Sequence, residues 1–412
     1  MGKIFDAAII GAGAAGMMAA VNADSGNKSI ALIDHNDRIG KKILSTGNGR
    51  CNLSNTDMDI RHFHGGNKDR IERVIRNFDH KDTVDFFNDL GVITMEKGGY
   101  TYPNTCEAKT ILNAFFMEIK KRKNIDVFTG YKVKKISDHE NKLWEISDNK
   151  KEVLAKSVVI SSGGMAAKKL GSDGSIFPIL KELGINIIPM VPALGGLVAE
   201  EDYFKKIAGI RTDAKISLEI DGKTVKKEQG NLQVTKEGIS GIPVFNISRY
   251  AARGLNEKKK VRVITDLFPK YDKEEIKSNL QKIRMNFLDE EIQNGFSLIL
   301  DKKLAILFCR ILGIRPSLKL KDMDDENIDK YSRLVKNWSI RIKSPWEFDR
   351  VQATAGGVDM GCLTDELESI CKKGLFFAGE AVDVDGDCGG YNLQWAWSSG
   401  YLVGKSIAKR GI

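Results

Sequence analysis

Cysteine is scarce and unpaired in this sequence: six in 412 residues, at 51, 106, 309, 362, 371 and 388, with no CxxC spacing. The irregular separations exclude a zinc ribbon and a disulfide framework, and leave most of the six as small buried hydrophobes. No apolar stretch approaches membrane-spanning length, and no charged-then-apolar leader precedes the first strand. The expectation is a cytoplasmic protein without a membrane partner. Basic residues outnumber acidic ones, 64 to 55, for a net charge of +9. The lysines are scattered and no arginine–aromatic cluster offers stacking, so the excess reads as solvated surface and no nucleic-acid partner is expected. Internal repeats and low-complexity segments are also missing. The chain is long enough for two or three domains with substantial cores.

What is present starts with Ala7-Ala8-Ile9-Ile10, an apolar run of the buried parallel-strand type. Gly11-Ala12-Gly13-Ala14-Ala15-Gly16 follows, then a small-residue helix through Ala23. Gly11 permits a tight turn, Gly13 lets backbone approach a pyrophosphate, and Gly16 lets helix and strand pack closely. Phosphates would sit at the positive end of the helix dipole, beside Ala14 and Ala15. A second strand, Ser29 to Ile33, ends in Asp34, where a carboxylate would take ribose hydroxyls and repel a 2′-phosphate. Strand, glycines, helix, strand and acid in register over one βαβ unit make a dinucleotide site.

Two further segments say which dinucleotide. The loop Gly40–Asn55 is rich in Gly, Asn and Ser and adds Lys42 and Arg50. With Gly47, Cys51 and Asn52 it suits a diphosphate or an electron-rich ring edge. Near the end, an apolar strand from Leu375 to Ala378 runs into an acidic, glycine-rich loop and a helix opening near Asn392. A planar, electron-rich group at a helix N-terminus fits that layout. Read jointly, the two ends describe FAD. Val158-Val-Ile-Ser161 running into Gly163-Gly164 would bring backbone against the nucleotide again, and Asp173 stands close to a helix start.

Between these segments the character varies. Helical periodicity covers 68–90 and 108–120; Gly98–Pro103 reads as a turn displaying Tyr100 and Tyr102. Val127–Phe128, Val133–Ile136 and Leu143–Ile146 suggest a small meander. Strand-like pieces occur from about 190 to 270, with Asp221-Gly222 as a hairpin turn; helices follow to about 336, and strand character resumes at Ser339–Lys343. The expected fold is α/β: a Rossmann-like, discontinuous FAD-binding domain (1–189 and 354–412) with an inserted β-barrel-like domain (190–270 and 337–353) interrupted by a helical segment (271–336).

Gly11–Gly16, the Gly-Arg-Cys-Asn core at 49–52, Gly98–Pro103, Gly163-Gly164, Gly171–Gly174, Gly238–Gly241, Gly356–Val358, Ala378–Glu380 and Gly389–Asn392 together resemble a bacterial flavoprotein family. It includes proteins similar to 3-dehydro-bile acid reductases and to aminoacetone oxidases. The match spans nearly the whole chain and departs at Leu232–Gly238, where the family shows a more apolar run and a His or Asn. That departure bears on substrate more than cofactor. The resemblance implies that Glu380, after Gly379, binds ribitol hydroxyls, that Val133 contacts adenine through its backbone, and that Gly390, Tyr391 and Asn392 face the N1/O2 side of the flavin ring. It also implies hydride transfer from NADH or NADPH through the flavin to a small-molecule acceptor such as an enone of bile-acid type. Arg50, Tyr100, Tyr102 and Asp173 are the candidate catalytic residues for the accompanying proton. The alternatives are an amine or aminoketone oxidase, an RNA-associated flavoprotein, and a nicotinamide dehydrogenase without flavin.

Overall fold

A computed structural model describes residues 3–24, 28–139 and 143–410. Ile4–Ile10 forms the central strand of the first sheet, and Ala7, Ala8 and Ile9 are fully buried, as a strand covered on both faces requires. It pairs in parallel with Ile30–Ile33 on one side and Glu152–Ile160 on the other. Ile125–Phe128 adds a further parallel strand beyond Ile30–Ile33, and Leu375–Phe377 pairs in parallel with Glu152–Ile160. The meander is built from Lys135–His139, Leu143–Ser147 and Glu152–Ile160. Val127–Phe128 therefore belongs to the parallel edge, not the meander: it ends the crossover through helix Ala108–Lys121, which a two-residue apolar run does not reveal.

The α/β character expected from the sequence is thus present. Helix Ala14–Ala23 packs on the C-terminal helix Tyr391–Lys409 along small residues. A Cβ at Gly400 would collide with the Ala15 carbonyl, and one at Gly404 would lie 2.7 Å from the Ala19 carbonyl oxygen. Glycine at both positions lets the two backbones meet. Gly98 and Gly99, at φ 60° and 85°, make a two-residue hairpin turn between Thr94–Lys97 and Tyr100–Pro103. Tyr100 and Tyr102 consequently stand on a strand, two apart and on one face, instead of within a turn.

The chain divides into two compact units, 1–192 with 348–412, and 193–347. The second holds a closed six-stranded barrel in the order Leu197–Ala199, Gly238–Ser240, Lys223–Val234, Arg211–Ile220, Val261–Asp266, Trp338–Pro345. Asp221 and Gly222, both at positive φ (48° and 78°), turn its longest hairpin. Ile216, Leu218, Val263 and Ile340 of the barrel share one hydrophobic core with Ile276, Leu304, Phe308 and Tyr331 of the helices at 273–336. Among the described residues no helix is long and apolar enough to cross a membrane.

Candidate functional site

A cleft of about 1310 Å³, measured to its open mouth, lies wholly within the first unit. Gly11 to Ala15 and Asp34 line it, and so do Asn392 to Ala396, apart from Gln394. Lys42, Val133, Gly163, Asp173, Gly379 and Glu380 line it as well. The chain brings these expected residues together from segments more than 300 positions apart.

Two helices begin at this cleft. Ala14–Ala23 starts after Gly13 and Tyr391–Lys409 after Gly390; neither has a side-chain cap or an acid in its first turn. Their first N–H groups and dipoles are therefore available to an anionic or electron-rich ligand. The three glycines of the first turn have different reasons to be glycine. A Cβ at Gly11 (φ 103°) would lie 2.5 Å from Ser162 Cα, and one at Gly16 would strike the Gly11 carbonyl. At Gly13 (φ −83°) an added Cβ meets nothing within 4 Å. No protein group demands that glycine, whereas a pyrophosphate lying against the turn would. The Ser162 hydroxyl, which also lines the cleft, has no hydrogen-bond partner among the described residues. An open glycine, an unpartnered hydroxyl and two uncapped helix starts fit a dinucleotide.

Asp34 is nearly buried. Its Oδ2 accepts from Ala12 N–H at 2.9 Å and its Oδ1 from the Asn36 backbone and side chain at 2.8 and 2.9 Å. This fixes the carboxylate at the edge of the glycine turn. At the other acid, Glu380 Oε2 lies 2.6 Å from Lys42 Nζ, while its Oε1 accepts from Thr354 N–H at 2.7 Å. Lys42 also donates to Ser172 Oγ at 3.3 Å. Thr354, Ser162 and Ser172 were not singled out from the sequence, because isolated hydroxyl residues carry no periodic or spacing signal.

Asp173 pairs with Lys132 Nζ at 3.0 Å and accepts from Ser175 N–H at 2.9 Å. Burial raises its pKa, but the Ser175 hydrogen bonds and the Lys132 ammonium outweigh this and hold the carboxyl at about 2. Tyr131, next to Lys132, donates its N–H to Asp34 O at 3.0 Å, which brings the Lys132–Asp173 pair near Asp34. A carboxyl held at about 2 favours the role of acceptor for Lys132 and Ser175 over that of proton donor.

Gly16, Gly47, Arg50, Cys51, Asn52, Tyr100, Tyr102, Gly164, Gly390 and Tyr391 stand outside the cleft lining. Burial of Cys51 pushes its thiol up to about 12, so it is a packing residue without thiolate chemistry. With its amide turned to satisfy both ends, Asn52 donates to Ser54 O (3.0 Å) and Thr101 O (3.2 Å) and accepts from Gly390 N–H (3.2 Å), locking the loop to the second helix start. The Asn392 side chain clamps both backbone groups of Gly386, at 3.0 and 2.9 Å. The helix opens one residue before Asn392, at Tyr391.

Exposed Arg50 lies over the Tyr102 ring at 5.6 Å from its centroid. A Cβ at Gly389 would sit 3.1 Å from both Tyr100 Cε1 and Tyr391 Cε2, so the two phenol rings flank that glycine. Burial raises the pKa of Tyr100 and of Tyr102, against the opposing pull of Arg50 on the latter. Both phenols keep their protons at neutral pH. Behind Tyr391 lies a cluster absent from the sequence expectations: Asp387 between His62 (3.0 Å) and His64 (2.7 Å). The alternations His62-Phe63-His64 and Asp383-Val384-Asp385-Gly386-Asp387 are the signal that could have revealed it.

Residues 5–406 match the model of the HI0933-like protein Rossmann domain. The chain is 37% identical over 409 residues to the 3-dehydro-bile acid delta(4,6)-reductase of Clostridium scindens, covering 98% of each. It is 28% identical over 408 residues to the ribosomal RNA dihydrouridine synthase of Escherichia coli, again covering 98% of each. Among solved structures, 3-ketosteroid delta1-dehydrogenase of Sterolibacterium denitrificans shares the fold at a TM-score of 0.52 and 11% identity, covering 99% of this chain and 100% of the other. The chain belongs to the HI0933-like family.

Proposed function

We propose that this protein is an FAD-dependent oxidoreductase that reduces a C=C bond conjugated to a carbonyl, with NADH or NADPH as electron donor. The observation that carries the reading is one cleft lined by the first turns of two uncapped helices, at Gly13–Ala15 and at Asn392–Leu393, and by two fixed acids, Asp34 and Glu380. The first of these turns and Asp34 suit pyrophosphate and ribose. Glu380, oriented by Lys42 and Thr354, suits ribitol hydroxyls. The start of helix 391–409 favours negative charge developing on the flavin's N1/O2 side. When bound, FAD supplies two-electron hydride chemistry, and the protein supplies orientation, electrostatics and a proton.

The relatives support the acceptor class. A 3-oxo steroid with 4,6-unsaturation and the uracil ring of uridine each contain a C=C conjugated to a carbonyl, and the names of both relatives describe its saturation. The proton for the second acceptor carbon would come from Tyr100 or Tyr102, which remain protonated at neutral pH. A second reading, a uracil base within RNA, is favoured by charge distribution: residues 193–347 carry 30 Lys and Arg against 23 Asp and Glu, so +7 of the chain's +9 lies in the second unit.

Anaerobic mixing of the yellow holoprotein with NADH and NADPH tests the donor, and reoxidation by steroid enones, uridine in RNA, quinones and oxygen tests the acceptor. Bleaching by a nicotinamide followed by reoxidation with an enone is expected. Bleaching by an amine alone, with oxygen as acceptor, would replace the reductase with an oxidase. Reoxidation by RNA alone, suppressed by salt, would establish the second reading.

A further inference from the structure

The strand Phe63–Gly65 pairs with Val384–Gly386, setting Asp385 opposite His64, and Asp387 N–H donates to His62 O at 2.8 Å. This zips residues 62–65 onto the segment that leads into helix 391–409. Asp387, 6% exposed, shares its carboxylate between His62 Nδ1 (3.0 Å) and His64 Nε2 (2.7 Å). The other nitrogen of His62 faces Asp57 Oδ2 at 3.1 Å, with Arg61 Nε at 3.3 Å and the Arg61 guanidinium also paired to Asp57. Both ring nitrogens of His62 thus lie within hydrogen-bond distance of a carboxylate, and Nε2 also accepts from Arg61 Nε.

The same ring stacks on Tyr391, centroids 4.6 Å apart at 14°, while Phe63 meets Tyr391 edge-on at 5.5 Å. Tyr391 is the first residue of the helix, and across Gly389 its ring neighbours Tyr100. His62 thus stacks on Tyr391, and the Tyr391 and Tyr100 rings flank Gly389. A buried carboxylate so close to a helix start opposes the field that the start offers to a ligand, unless hydrogen-bond donors offset it. His62 is placed to do that.

We propose that His62 is a positioning residue of this site: it fixes the Tyr391 ring against Tyr100 and screens the charge of Asp387 from the helix start at 391. The proposal rests on the reading that a flavin ring lies at that helix start. A stacking contact alone needs only an aromatic ring, whereas screening needs the imidazole, so the two roles separate by substitution.

The test uses the holoprotein with His62→Phe, which keeps the stack and loses the hydrogen bonds, and Asp387→Asn, which keeps the shape and loses the charge. FAD content, the visible circular dichroism of the flavin and its two-electron potential are measured, with near-ultraviolet circular dichroism of the apoproteins as a flavin-independent readout of the tyrosines. The expected result is a more negative potential in His62→Phe and a more positive one in Asp387→Asn, with FAD content unchanged. His62→Ala should in addition alter the near-ultraviolet signal of the apoprotein, and His62→Phe should restore it. Asp387→Asn carries the charge test if the phenylalanine variant does not fold. Potentials that do not move, or that move in one direction in both variants, overturn the proposal while leaving the cofactor reading intact. A wild-type protein that is colourless and takes up no FAD overturns both.

Discussion

Lys42 Nζ lies 2.6 Å from Glu380 Oε2, an ion pair between residues 338 positions apart that both line the same cleft. Each partner is mostly covered, and Glu380 spends its second oxygen on Thr354 N–H. The pair closes one wall of the cleft and leaves the carboxylate oriented for hydroxyl donors. Glu380→Gln retains size but loses charge, and should weaken FAD binding about 10-fold, the equivalent of one charge-assisted hydrogen bond of about 1.5 kcal/mol. Lys42→Met should lower affinity by a similar factor by releasing Glu380. Quenching of FAD fluorescence on titration with apoprotein measures both.

Gly13 and Gly16 make an internal control for the cofactor reading. An alanine at 13 has free space and an ordinary φ, so folding stability should stay within about 1 kcal/mol of wild type. FAD affinity should nevertheless fall by at least about 10-fold, because the methyl group enters the cleft. Alanine at 16 strikes the Gly11 carbonyl and should cost about 1–3 kcal/mol of stability with or without FAD. Urea unfolding of the apoproteins, set beside FAD titrations, reads the contrast. Equal stability losses at both sites would remove the argument from Gly13.

Asp173 gives a pH dependence with a definite sign. Its folded pKa of about 2 lies below the ordinary aspartate value of 3.8, so the carboxylate stabilises the fold fully above about pH 4. That contribution, about 1 kcal/mol once solvent screening is allowed for, declines as pH falls from about 4 toward 2. Asp173→Asn should therefore be less stable than wild type by about 1 kcal/mol at pH 7, with the gap narrowing at pH 3. Denaturant midpoints at the two pH values check it. A constant gap would mean that the charge of Asp173 contributes nothing.

The elements legible in the sequence were those whose chemistry is written locally. Gly11–Gly16 states its turn, and Asp221-Gly222 states its hairpin. The barrel strands were seen only in part: Ile216–Ile220 and Leu232–Val234 are the apolar stretches of strands that run from 211 to 220 and from 223 to 234. The remainder, Lys223 to Gln229 above all, is polar and largely solvent-facing, and a single strand of that kind looks like loop until its partner is known. The Lys42–Glu380 pair was illegible for a related reason, and of the His62–Asp387–His64 cluster only the alternations showed, not the pairing. Both are made by register between distant segments, and no local pattern encodes which acid meets which base. Both segments of the cleft were recognisable from their glycines, while the hydroxyls completing it, Ser162 and Ser172, were not.

Tyr100 separates the proton step from the hydride step. Its ring flanks Gly389 beside the helix start, and burial raises its pKa, so the phenol is protonated through the neutral range. Removing the hydroxyl in Tyr100→Phe leaves the ring packing against Gly389 and the cleft lining unchanged. Flavin reduction by NADH or NADPH, which needs no acid at the acceptor, should therefore keep its rate within a factor of about two, well below the effect of losing a positioned acid. Reoxidation by an enone should slow by about 10²–10⁴-fold, the usual contribution of such an acid. Tyr102→Phe should have the smaller effect if Tyr100 is the donor, because Tyr102 packs with exposed Arg50 and not against Gly389. Stopped-flow absorbance at the flavin band resolves the two half-reactions. A loss in Tyr102→Phe alone would move the donor to that residue, and losses confined to flavin reduction in both variants would take the proton step away from this strand.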